Sequence, residues 1–241
     1  MRARLAILGA AALVMLITQA PTAYWAHGQR WASGSAIVMQ LQLGLPMQPL
    51  SDGHPSWDAV AAGALASWNQ VLNEVGFDAV ADSVEGAGLQ NELNNVLWGD
   101  DVYGDAFGDA IAITKWLYIV PDNITVEADV VFDRARAWDS YRGALRRAPQ
   151  GGTLNDFRRV ALHEFGHALG LGHPDEHEQS VPAIMNRQTG TLDDLQPDDI
   201  EGVQSIYGVR PPADVAPPGA AAPPAATDPP AEGEPLTFGR R

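Results

Sequence analysis

The segment from His163 to His173 reads H-E-F-G-H-A-L-G-L-G-H and carries three histidines at spacings that suit a metal site. His163 and His167 are four residues apart and would project from one face of a helix. Gly170 can take a positive φ angle at little steric cost, so the chain can leave the helix and bring His173 back. Three nitrogen ligands leave the fourth tetrahedral position for water, as in catalytic zinc sites. The segment therefore predicts one Zn²⁺ bound by His163, His167 and His173.

Glu164 is offset by one position from the first histidine, so we expect it to lie beside the metal and hold a water molecule. There it would act as the general base that takes the proton from water and passes it to the leaving group. Two histidines on a solvated helix face are the alternative reading of a short H-E-x-x-H match. The extended match is far rarer by chance, and it favours a zinc hydrolase.

The first 26 residues resemble an export signal in composition. Arg2 and Arg4 give a positive start, an uncharged apolar run follows over residues 5–17, and small residues stand at Ala20, Ala23 and Ala26. We expect residues 1–26 to be a signal peptide and the protein to be secreted, extracellular or periplasmic. The apolar run is short for a bilayer span, so no membrane anchor is expected after cleavage, and a retained anchor is the alternative.

Composition limits the remaining possibilities. The chain has no cysteine, which excludes disulfides, thiolate ligands and a cysteine nucleophile. A formal net charge of −15 argues against a nucleic-acid partner, because phosphates would be repelled. Residues 210–241 are rich in proline and alanine and predict a disordered tail. One domain over residues 27–209 remains, and we expect it to act as a monomer.

Hydrophobic periodicity predicts strands and helices in an α+β order. The expected elements are a strand at 37–43, a helix from Ser56 to about Glu74 ended by Gly76, two strands at 110–120 and 124–132, the zinc helix capped by Thr153 or Asn155, and a last helix from Pro197 to Gly208. This order predicts a mixed sheet covered by helices.

These residues resemble the metzincin zinc endopeptidases, and within them a bacterial-type member of the matrixin (matrix metalloproteinase-like) branch. Beyond the zinc motif, Ala183-Ile184-Met185 is similar to the Met-turn, and residues 195–208 are similar to the matrixin C-terminal helix. Residues 128–133 with Trp138 resemble the strand that precedes the zinc helix. The resemblance covers residues 30–209.

The resemblance implies a metzincin-like domain, a twisted mixed sheet with an active-site helix and a C-terminal helix, that cleaves peptide bonds in a peptide or protein substrate. Met185 would support the zinc site without binding the metal; an ordinary core methionine is the alternative. Substrate would bind as an extra strand at the sheet edge, around residues 111–114. The family's cysteine-switch control is excluded, since the chain has no cysteine.

Several alternatives remain open from the sequence. The acidic loop at 99–109 could wrap Ca²⁺ or be an ordinary solvated loop. His177 could be a ligand or substrate contact, or a solvated loop residue. The whole protein could instead be a zinc-binding but catalytically silent extracellular interaction module, or a zinc amidase.

Overall fold

A computed structural model describes residues 23–188 and 190–211. Most of the expected export signal and nearly all of the expected Pro/Ala-rich tail lie outside these ranges. The helices and strands are β1 (Trp25–Ala26), β2 (Ala36–Gln42), α1 (Trp57–Asn69), β3 (Gly76–Val80), β4 (Asn94–Gly99), β5 (Ala112–Ile119), β6 (Ile124–Asp133), β7 (Trp138–Asp139), β8 (Arg146–Arg147), β9 (Thr153–Asp156), α2 (Phe157–Ala168), β10 (Leu171–Gly172), a 3₁₀ turn (Pro174–His177) and α3 (Pro197–Tyr207). No helix in the described part of the chain is long and apolar enough to cross a membrane.

The main sheet is mixed, which confirms the α+β prediction. Its strand order is β3-β2-β4-β6-β5; the first four strands run parallel and β5 pairs antiparallel with β6 at one edge. β2 turns Ile37, Met39 and Leu41 into the core, where they pack with residues of α1 and α2. The helices therefore cover one face of the sheet, and α2 lies beneath the edge strand.

Two boundary predictions were wrong for local reasons. Helix α1 is capped by Ser56 as expected, but it ends at Asn69 and not near Glu74. The Asn69 side chain accepts a bond from Phe77 N and donates one to Phe77 O, both at 2.8 Å, and so ties the helix end to β3. Gly76 consequently begins β3 and does not end the helix.

The cap predicted for the zinc helix was also wrong. Thr153 and Asn155 lie in β9, which pairs with β7 and β8, and the N-cap position belongs to Asp156. Backbone pairing of β9 keeps the chain extended up to that residue. The last helix matches its prediction, since α3 begins at Pro197 and Gly208 follows it with a φ of 77°.

Candidate metal centre

Helix α2 carries the first half of the motif and separates its two faces. Ala161, Phe165 and Ala168 are fully or almost fully buried in the core. His163 and His167, four residues apart, line the open cleft on the other side together with Glu164. The sequence predicted this division of the helix, in which core packing fixes the backbone that carries the histidines.

Gly170 allows the chain to turn back sharply after the helix. Its φ angle is +95°, a conformation that other residues adopt only with strain. A Cβ atom at this position would also lie 2.5 Å from the carbonyl oxygen of Gln29. The chain then forms β10 and brings His173 to the two helical histidines.

The three histidines meet through their Nε2 atoms. His173 Nε2 lies 3.2 Å from His163 Nε2 and 3.0 Å from His167 Nε2. This trio is the one group of three metal-ligating side chains found among residues 23–188 and 190–211. The structure thus brings together the three residues that the sequence singled out as ligands.

Each imidazole is oriented by an acceptor at its other nitrogen. His163 Nδ1 lies 2.8 Å from the carbonyl oxygen of Ile184, and His167 Nδ1 lies 2.8 Å from that of Leu171. His173 Nδ1 lies 2.9 Å from a carboxylate oxygen of Glu176. Because these partners only accept hydrogen bonds, each Nδ1 carries a proton; in the neutral ring, the form that binds a metal, Nε2 then presents a lone pair.

The converging lone pairs fit a metal ion. Burial lowers the pKa of His163 to about 4 and that of His167 to about 3, so both rings are neutral near pH 7. Neutral Nε2 acceptors cannot hydrogen-bond to one another at 3.0–3.2 Å. Nitrogens bound tetrahedrally to zinc at ~2.05 Å would be about 3.3 Å apart, close to these distances. A shared cation satisfies all three atoms.

Glu164 is buried beside this centre and is paired with Thr114, a residue that the sequence placed only in the substrate-binding edge. Its side chain is 5% exposed, and the Thr114 hydroxyl lies 2.7 Å from its Oε2. Burial raises the pKa of Glu164, while neighbouring His163 and the Thr114 hydrogen bond act in the opposite direction. Thr114 belongs to edge strand β5, so nothing in its local sequence indicated this contact.

Met185 packs directly beneath the motif helix. It is 2% exposed, and a Cβ atom on Gly166 would overlap its sulfur and lie 3.2 Å from its Cε. The buried Asp199 carboxylate accepts hydrogen bonds from the backbone nitrogens of Ile184 (2.9 Å) and Met185 (3.1 Å). Helix α3 therefore holds the turn that carries Met185. The sequence alone did not single out Asp199.

The open side of the centre is a cleft of ≈ 740 Å³. Its upper rim is β5, the edge strand of the main sheet, which includes the predicted edge residues Ala112, Ile113 and Thr114. Asp109 and Arg187 also line the cleft.

The structure places His177, whose role the sequence left open, and its neighbour Glu176. His177 lines the cleft but is not one of the three clustered histidines; its ring stacks on Trp25 at 3.5 Å. Glu176, which the sequence alone did not single out, is the acceptor for His173. An acidic residue three positions after the last histidine was the available signal.

The acidic loop at 99–109 does not gather its carboxylates. Asp100 pairs with Arg134 and Asp105 with Lys115, each at 3.1 Å. Asp101 accepts a bond from Gly104 N at 2.8 Å within the loop. This geometry favours the ordinary acidic loop over a calcium site.

The amino-acid sequence is similar to a known protein family and to several of its members. A match to the matrixin family (Peptidase_M10) covers residues 48–208. Metalloendoproteinase 1 of Glycine max is 28% identical over 186 residues, 76% of this chain and 54% of the relative. Metalloendoproteinase 4-MMP of Arabidopsis thaliana is 39% identical over 113 residues, 47% of this chain and 30% of the relative.

A further relative matches a shorter part of the chain. Matrix metalloproteinase-19 of Mus musculus is 32% identical over 100 residues, 38% of this chain and 17% of the relative. The chain thus spans about half of these relatives' length or less. The solved structure of myroilysin aligns with 76% of this chain and 98% of its own at 14% identity, with a TM-score of 0.36. The family match covers about two thirds of the chain and includes the motif, the Met185 turn and α3, and by it this chain belongs to the matrixins.

Proposed function

We propose that this protein is a secreted, zinc-dependent endopeptidase in which His163, His167 and His173 hold the metal and Glu164 is the general base. The observation that carries the proposal is the meeting of three histidine Nε2 atoms beside a buried carboxylate in an open cleft. Membership of the matrixin family supports zinc as the metal and peptide hydrolysis as the reaction.

Zinc, when bound, polarises the scissile carbonyl and acidifies a bound water molecule. The chain supplies the remaining functions. Glu164 presents its carboxylate to the cleft, with Oε2 bonded to Thr114, so Oε1 is the atom that takes the proton from water. The same atom then delivers the proton to the leaving amine. Burial of Glu164 makes proton uptake easier than it would be for an exposed carboxylate.

The edge strand supplies the means to hold an extended substrate. Among the residues that the structure describes, β5 pairs with β6 on one side only, so its other side offers backbone groups to a peptide. The contact of Thr114 with Glu164 couples this strand directly to the general base. We propose that peptide or protein substrates bind along β5, which brings their scissile bond next to the histidines.

Two variants separate metal binding from chemistry. His167→Ala removes one of three ligands and should lose zinc and activity together. Glu164→Ala keeps all three nitrogens, so it should retain about one zinc per chain while its turnover falls by ~10²–10⁴-fold. Zinc content and cleavage of a peptide library are measured in parallel, and the exposed-residue variant Met47→Ala serves as control.

Each outcome assigns a function class. Near-normal hydrolysis by zinc-loaded Glu164→Ala would overturn the general-base role. A zinc-loaded wild type that cleaves no peptide would indicate the silent interaction module, and cleavage of amides other than peptide bonds would indicate a zinc amidase.

The proposal that the protein is exported rests on its amino-terminal sequence. The positive start and the apolar run at 5–17 support a cleaved signal peptide and a secreted protein. Recovery of the processed chain outside the cytoplasm of an expression host tests this part of the proposal.

A further inference from the structure

The last two residues of the expected export signal, together with the residues that follow it, lie against the metal-binding motif. Strand β1 pairs antiparallel with β10, so that Trp25 faces Gly172 and Ala26 faces Leu171. One residue later, His27 N donates to the carbonyl oxygen of Gly170 at 2.9 Å. These bonds hold the stretch of backbone that links the motif helix to His173.

The two glycines of this stretch leave room for the amino-terminal segment. At Gly172 a Cβ atom would overlap the Trp25 ring and lie 2.9 Å from His27 Nε2. At Gly170 it would lie 2.5 Å from the Gln29 carbonyl oxygen. The glycines of L-G-L-G-H thus serve the close approach of residues 25–29 as well as the turn itself.

Side chains of the same segment form one side of the cleft. Trp25 stacks on His177 with ring centroids 3.5 Å apart, and the two planes differ by 16°. His27 packs against Trp116 of the edge strand at 5.1 Å and against the ligand His167 at 6.2 Å. Both Trp25 and His27 line the cleft, so they face any peptide that lies there.

These contacts span the site from the edge strand to the loop that follows His173. The rings of Trp25 and His177 close one side of the cleft. The rings of His27 and Trp116 lie between the edge strand and α2. Without residues 25–27, β10 would lose its only strand partner among the described residues. His173 would then depend on Glu176 and the 3₁₀ turn for its position.

We propose that Trp25, Ala26 and His27 form one wall of the active site, where they position His173 and offer aromatic surface to substrate. Because cleavage within or after these residues would remove the wall, signal processing of the exported chain cuts before Trp25. This inference rests on the proposed function for its substrate part. Of the three small residues that could precede the cut, Ala20 and Ala23 preserve the wall, whereas cleavage after Ala26 would remove Trp25 and break β1.

The first test is the amino terminus of the protein as it is exported. The full-length precursor is expressed, and its secreted product is analysed by mass spectrometry and amino-terminal sequencing. The secreted chain should start at or before Tyr24. A product that begins at His27 and retains full zinc binding and activity would overturn the proposal.

The second test asks whether the wall positions the ligand. We compare zinc loss to a chelator for chains that begin at Tyr24 and at Gly28, both with the carboxyl-terminal tail. Loss of a group that orients a metal ligand typically changes metal affinity by ~10–100-fold, so the shorter chain should release zinc at least about tenfold faster. Equal release rates would contradict the positioning role, whether or not any peptide is cleaved.

Gly172→Ala distinguishes positioning from a general loss of stability. In the chain that begins at Tyr24, the added methyl group meets Trp25 and His27, and zinc release should accelerate. In the chain that begins at Gly28 both obstacles are gone, so the same substitution should have little further effect. Equal acceleration in the two chains would refute the direct contact.

Variants of Trp25, made in the full-length precursor and recovered after export, test the proposal even if the chain that begins at Gly28 does not fold. Trp25→Ala should raise KM for a peptide substrate and accelerate zinc release, whereas Trp25→Phe keeps a ring on His177 and should restore both. Met47→Ala removes a 98% exposed apolar side chain and is the matched control. Failure of Trp25→Phe to improve on Trp25→Ala would overturn the stacking role. An inactive wild type would defeat the proposed function, but the zinc-release readout would still decide the positioning role.

Discussion

The packing of Met185 beneath the motif helix predicts that the effect of Gly166→Ala on the free energy of unfolding depends on the side chain at position 185. In a helix interior, replacing glycine by alanine stabilises by ~1 kcal/mol through backbone entropy. At Gly166, however, the new Cβ would overlap Met185 Sδ and lie 3.0 Å from Trp68 Cζ2, where ordinary contacts are 3.4–4 Å. The sulfur must therefore retreat by about 1 Å within a close-packed core.

The magnitude follows from these opposing terms. Overpacking of this kind costs ~1–3 kcal/mol, so Gly166→Ala should reduce the free energy of unfolding by about 0–2 kcal/mol after the propensity gain of ~1 kcal/mol is subtracted. Met185→Ala alone creates a cavity at a side chain that is 2% exposed. Such a cavity should cost ~2–5 kcal/mol.

In the Met185→Ala background the sulfur is gone, so Gly166→Ala should be neutral or stabilising by up to ~1 kcal/mol. Urea unfolding of the four proteins of this cycle gives the coupling energy. The measurement is made with chelator, which isolates packing, and again with zinc. Gly166→Ala that stabilises the wild type, or that has the same effect in both backgrounds, would refute the argument that Met185 and Gly166 are packed in contact.

Three other outcomes follow from the structure. Burial raises the pKa of Asp129 to about 6, so the contribution of this carboxyl to stability is present below its unfolded pKa near 4 and is lost as pH rises through 6. The free energy of unfolding of Asp129→Asn should therefore exceed that of the wild type by about 2–3 kcal/mol at pH 7 and equal it at pH 4. A difference in urea unfolding that does not depend on pH would contradict this. Calcium should leave the melting temperature of the zinc-loaded protein unchanged, because Arg134 and Lys115 already pair with the loop carboxylates, and a millimolar titration that raises it would restore the calcium site. Deleting residues 212–241 should leave melting temperature and peptide hydrolysis almost unchanged, since their composition predicts no packed core, and a large fall in either would show that the tail docks on the domain.

The sequence predicted the parts of the fold whose side chains alternate with a regular period. Strand β2 and helices α2 and α3 have such patterns, and their ranges were close to those observed. Strand β4 was missed because it begins with two asparagines. Their side chains make hydrogen bonds to neighbouring strands, for example from Asn94 Nδ2 to Val38 O at 2.9 Å, so a strand in the centre of the sheet does not have an apolar pattern.

Helix α1 shows the opposite error, a pattern that continues after the structure has changed. Val71 and Leu72 extend the helical periodicity, and both pack against the core, but they do so from a turn. What ends the helix is a pair of hydrogen bonds from Asn69 to the backbone of Phe77, eight residues later. Such a contact depends on where the fold brings Phe77, and no local preference encodes it.

The ligands of the candidate site were predictable, whereas most groups that orient them were not, and the reason is chemical. The acceptors for His163 and His167 are the main-chain carbonyls of Ile184 and Leu171, which any amino acid would supply at those positions. Only the third acceptor, Glu176 beside His173, depends on its side chain. The spacing of the histidines can therefore identify a metal site from sequence, but the tautomers that make the site ready for a cation depend on the path of the backbone. That path is fixed remotely, by Asp199 of α3 at the turn of Ile184 and by β1 at the strand of Leu171.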